Sequence, residues 1–246
     1  MTGIRMSFFV AGACITMAAA AAPAGAAAVS APGSALTLAA PAVTAKIPVL
    51  KSTATAGYIS EKHGIKSVSA TFEVPKIASC TSGQNAGMGP VVILAGSGYF
   101  VGAGAEAECQ AGTLSYMVAI NHNGAETHPL SVAARNEISV DITIRSKSVL
   151  VKIENLSTKK TVSQSVAKGK VTDVELGDDS LTQGGHQVAI PRFTSHQFTH
   201  VKINGKVLKD AAPLLDEELV RGKTILIKPG AIRSGDAFVM DFEHAT

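Results

Sequence analysis

Ile138-Ser139-Val140-Asp141-Ile142-Thr143-Ile144 and, after a turn at Ser146-Lys147, Ser148-Val149-Leu150-Val151-Lys152-Ile153 alternate apolar with polar residues. Such alternation is the period of a half-buried β-strand. Across Ser157-Thr158-Lys159-Lys160, the stretch Thr161 to Val166 pairs naturally with the second of these. The same reading applies to Ser67-Val68-Ser69-Ala70-Thr71-Phe72-Glu73-Val74, stopped by Pro75, whose missing N–H ends a ladder. Phe198 to Ile203 runs into Asn204-Gly205, a hairpin turn signal, and Thr224 to Ile227 and Ala237 to Phe242 follow. Many short strands with hardly a helical pattern predict an all-β antiparallel sandwich or barrel.

The remaining composition sets the boundaries. Arg5 precedes an apolar run from Met6 to Ala22 that ends in small residues, so residues 1–26 read as a secretory signal peptide. Residues 27–56 are rich in Ala, Pro, Ser, Thr and Val with almost no charge and read as a linker or pro-segment. The folded domain is expected over 57–246, long enough for one core. A net charge of +3 with scattered Lys and Arg gives no nucleic-acid surface. No membrane association is expected after signal cleavage, and a monomer is expected. Once Cys14 leaves with the leader, Cys80 and Cys109 form an even pair suited to a disulfide in an oxidising compartment.

Several landmarks in order resemble the glutamic peptidase (eqolisin) family. They are Ser67 to Pro75 with Cys80 after it, Glu106-Ala107-Glu108-Cys109, Ser115-Tyr116, Glu154-Asn155-Leu156-Ser157-Thr158, and the closing Gly230 to Phe238. The resemblance implies a secreted acid endopeptidase on a concanavalin A-like sandwich of two bent antiparallel sheets, acting on extended peptide or protein substrates without a cofactor. It also implies a Glu that activates water and a Gln amide that donates to the oxyanion. Glu175, in Val171-Thr172-Asp173-Val174-Glu175-Leu176, matches that Glu; a solvated acidic turn with Asp173 and Asp178 is the other reading. Gly102 falls where the Gln belongs, so the oxyanion donor is missing. At further cleft positions, Ala119 stands for a Trp, Asn121 for a Glu and His122 follows; the chain has no Trp at all. These departures predict a degenerate, non-cleaving or weakly active relative.

Two alternatives remain open: an active peptidase in which Gln110 or Asn121 replaces the lost amide, and a carbohydrate-binding sandwich using Tyr58, Tyr99 and Tyr116. His196 and His200, four apart on a strand, could join His186 around a metal, but a half-exposed sheet face is the expected reading and no metal is assigned. Glu106 and Glu108 are expected to be solvated carboxylates on a strand edge.

Overall fold

The computed structural model describes residues 47–61, 63–183 and 186–245. Residues 1–46, which include the stretch read as a leader and Cys14, lie outside the described residues. The chain opens with β1 (Val49–Ser52), β2 (Thr55–Glu61) and β3 (Ser67–Glu73). A long meander follows: β4 (Asn85–Gly96), β5 (Tyr99–Gln110), β6 (Thr113–His122) and β7 (Ala125–Ser131). A second meander is β8 (Glu137–Ile144), β9 (Ser148–Asn155) and β10 (Lys160–Ala167), leading to β11 (Asp173–Ser180) and the short β12 (Thr182–Gln183) and β13 (His186–Gln187). The chain closes with β14 (His196–Ile203), β15 (Lys206–Val207), a 3-10 turn at Leu208–Asp210, β16 (Leu214–Arg221), β17 (Thr224–Pro229) and β18 (Phe238–Phe242). Residues 47–56, read as linker, contribute β1 and the start of β2 instead; Val49–Ser52 pair in parallel with β16.

Hydrogen bonding runs β10-β9-β8-β3-β14-β18-β17-β16-β2-β11-β4-β5-β6-β7, and this path folds back on itself as a two-layer sandwich. Phe72, Ile138 and Phe198 from one layer share a single core with Val92, Val101, Val118 and Leu176 from the other. Phe198 and Phe238 stack at 4.9 Å, and Tyr58 meets Phe238 edge-on at 5.0 Å, the offset and T-shaped geometries that aromatic quadrupoles favour. The two ends of the path also meet, because Thr127 Oγ1 of β7 donates to Gln164 Oε1 of β10 at 3.0 Å.

Side chains alternate across each strand. On β4, Val92 and Leu94 therefore enter the main core, while Val91, Ile93 and Ala95 emerge on the opposite face. There they form a smaller cluster with Ala119, Leu181 and Val188, so the segment after β11 folds over part of this outer face. Cys80 and Cys109 are joined in a disulfide that ties the loop after β3 to the end of β5. The glycine-rich residues 96–104 form the β4–β5 turn and the first half of β5. Gly104 sits where a Cβ would meet Pro90 O at 2.2 Å.

Candidate functional site

Strand register decides which groups share the outer face. Asn121, Gly102, Ile93, Glu175 and Ile59 form one row across β6, β5, β4, β11 and β2. The next row holds Ala119, Gly104, Val91, Gly177, Gly57 and Glu217. A third row holds Thr55, Asp179 and Gly89, and the registers 88↔107 and 91↔104 put Glu106 opposite Gly89. Glu175 and Gly102 thus lie in line with Ile93 between them. Asn121 is three strands from Glu175, about 14 Å at the usual strand spacing. Its amide donates to Glu126 Oε2 at 3.3 Å and its oxygen accepts from Gly124 N at 3.0 Å. Gln110 ends β5, eight residues or roughly 26 Å from Gly102 along the strand. Neither stands beside Glu175. His122 packs its ring edge-on against Tyr99 at 5.6 Å.

The face is dominated by carboxyl groups. Glu175 has its pKa pushed up to about 8, first by burial of the carboxyl and then by the charges of Glu217 and Asp173. Asp179 is fully buried, and neither of its oxygens has a hydrogen-bond partner. The adjacent Ser180 N–H is directed to Ala54 O at 2.8 Å. Burial, then Glu175, Glu106 and Glu217, hold Asp179 well above the ordinary carboxyl range. Glu217 is raised by burial, partly offset by hydrogen bonds from Thr55, whose Oγ1 donates to Oε2 at 2.5 Å, and from Ser52. Between Glu175 and Glu217 lies a cavity of about 10 Å³ lined also by Thr55, Gly57, Ile59 and Gly177, about the room of one water. Its floor is bare backbone: a Cβ on Gly177 would meet Ala56 O at 1.9 Å, and one on Gly57 would meet Leu176 O at 2.1 Å.

Three expectations are corrected here. Glu106 and Glu108 are not solvated edge residues: they are 0% and 6% exposed, because β5 lies between β4 and β6 and its outer face is also covered. Glu108 is pushed up to about 7 by burial, then by Glu106, with Glu126 adding to this and His128 opposing it. Asp178 is not in an acidic turn; it points into the sandwich and pairs with buried His196 at 2.9 Å. His200 does not share a face with His196, because β14 is bulged between Thr199 and Lys202 and His200 takes φ 53° in the open. Asp179, Glu217, Glu126 and His128 were not singled out from sequence. Alternation from Glu175 could have found Asp179; nothing local marks the others.

A sequence model of the Peptidase A4 family matches residues 53–224. Among solved structures, scytalido-glutamic peptidase with a transition state analog inhibitor has a TM-score of 0.66 at 16% identity, covering 78% of this chain and 98% of that one. SCP-B, an eqolisin in complex with the tripeptide Ala-Ile-His, gives 0.62 at 17% identity with coverage of 78% and 98%. Aspergilloglutamic peptidase from Aspergillus niger gives 0.55 at 18% identity, covering 64% and 99%. At such identities the likeness shows the fold, a β-sandwich. A comparison with curated sequences gives no match. With the family match extending over most of the chain and from β2 to the start of β17, the chain belongs to the Peptidase A4 family of glutamic peptidases, the eqolisins.

Proposed function

We propose that this protein is an exported peptide hydrolase in which the cluster of Glu175, Asp179 and Glu217 takes over the work of the Glu–Gln pair. The observation that carries the reading is Asp179, buried without a hydrogen-bond partner in the field of Glu175 and Glu217. Carboxyl groups that lie in one another's field do not all ionise together. One ionised carboxylate then takes a proton from water as that water attacks the scissile carbonyl. A neighbouring protonated carboxyl donates a hydrogen bond to the developing oxyanion, the role an amide would fill from position 102. The first carboxyl returns its proton to the departing amine, giving one acid and one amine from one peptide bond and one water. The cavity against Gly57 and Gly177 has room for that water. The leader-like residues 1–26 and the Cys80–Cys109 disulfide support export.

The absence of an amide at Gly102 and of any Trp favours the second reading, a binding scaffold that no longer cleaves. The test is cleavage of an unfolded protein substrate from pH 3 to 9 by the wild type, Glu175→Gln and Asp179→Asn. Cleavage that falls by about 100-fold or more in both variants supports the hydrolase, the size expected for losing a positioned acid–base group. No cleavage by a folded wild type leaves the scaffold reading.

A further inference from the structure

A second group of ligating side chains occupies the far side of the outer face, beyond Gly89 from the cluster just described. His128 Nε2 lies 3.0 Å from Glu106 Oε2 and 3.1 Å from Glu126 Oε1. One ligating atom from each of the three residues falls within 4.8 Å of the others. Glu106 is fully buried with Oε1 left without a hydrogen-bond partner, and Glu108, 6% exposed with its own Oε1 unpartnered, adds its field to the same group. Buried carboxylates without donors are costly unless a cation compensates them. One imidazole among three carboxyl groups leaves the group acidic.

We propose that Glu106, Glu126 and His128 form a binding site for a divalent transition-metal ion of the zinc class. An imidazole nitrogen with two carboxylate oxygens is a borderline donor set, suited to zinc, whereas calcium takes six to eight oxygens. A zinc ion with ligands at 2.0–2.2 Å in tetrahedral geometry sets neighbouring donor atoms about 3.3 Å apart. The observed 3.0 and 3.1 Å contacts need to widen by only a few tenths of an ångström. The side chain of His128 is 36% exposed and gives an ion a route from solvent, while Glu106 anchors the inner end. The proposal does not rest on the hydrolytic reading, which uses Glu175, Asp179 and Glu217, although Glu106 also contributes to the field at Asp179.

Calorimetric titration of the purified chain with zinc chloride at pH 7.5, and with calcium chloride as control, tests the proposal. The expected result is one zinc per chain, no comparable calcium uptake, and affinity reduced at least about tenfold in His128→Ala and in Glu126→Gln. His128 is on the surface, so its variant keeps the fold, which circular dichroism verifies. Zinc bound equally well by His128→Ala, or no zinc bound by the folded wild type, overturns it. A rise in wild-type Tm with added zinc that is absent in His128→Ala is the second readout expected.

Discussion

Glu175, half-buried on the sheet face, has a raised pKa because its carboxyl is desolvated and lies in the field of Glu217 and Asp173, and this has a signed consequence for stability. A carboxyl raised from 4.5 to about 8 binds its proton more tightly in the folded state, so its contribution is fully present below pH 4.5 and is lost as pH rises through 8. Glu108, raised to about 7, and Asp216, raised to about 6 by burial and then Glu218, act in the same direction. His128, raised mainly by its hydrogen bond to Glu106, also loses its contribution as pH rises. Tm should therefore be highest near pH 4–5 and decline toward pH 8, as followed by thermal melts. Glu175→Gln should flatten that decline and stabilise the fold at pH 8 by on the order of 2 kcal/mol. A wild-type Tm that climbs from pH 5 to 8 would contradict the buried acid cluster. The acids were hard to read from sequence because charged residues are almost never fully buried. Alternation from Glu175 could have placed Gly177 and Asp179 on the same face, but it says nothing of how far that face is buried.

Strand legibility depended on having one wet face. β8, β9 and β10 alternate buried or half-buried with more exposed residues, and their limits agree closely with the pattern in the sequence. β4 and β5 are buried along nearly their whole length, so alternation vanishes and the sequence pattern marks no strand there. Gly89 shows why glycine sits in such a strand: an added Cβ would lie 1.9 Å from Ala105 O, a backbone atom that cannot step aside without breaking the ladder. Gly89→Ala should cost roughly 3 kcal/mol or more in denaturant unfolding. Gly98→Ala is the control, having open space but φ +67°, with an expected cost of about 1 kcal/mol.

Among the described residues, the fold is held by a large aromatic and aliphatic core, the Cys80–Cys109 disulfide and a buried Asp178–His196 hydrogen bond. The Cys80–Cys109 bridge closes a loop of sequence separation 29. Chain-entropy reasoning assigns it about 3 kcal/mol, so reduction should lower Tm by several degrees while leaving the far-ultraviolet spectrum of sheet intact below the new midpoint. Asp178→Ala should cost about 1–3 kcal/mol, because it leaves the buried His196 Nε2 without its partner among Phe193 and Phe198. Neither effect depends on whether the outer face cleaves anything. The order of the landmarks, from the strand before Pro75 to the closing turn, carried the family and the sandwich. The far-separated partners Asp178 and His196 could be matched only after the layers were brought together.

The contact between Thr127 and Gln164 makes the sandwich nearly a closed loop, since it joins the last strand of the hydrogen-bonded path to the first. Closure rests there on one neutral side-chain bond at the surface, far weaker than the ladders elsewhere. This is the seam along which the molecule should first breathe, and amide exchange in β7 and β10 should outpace exchange in β4 and β5. Since Glu126 and His128 flank Thr127 on β7, an ion held by that strand would act as a rivet beside the seam.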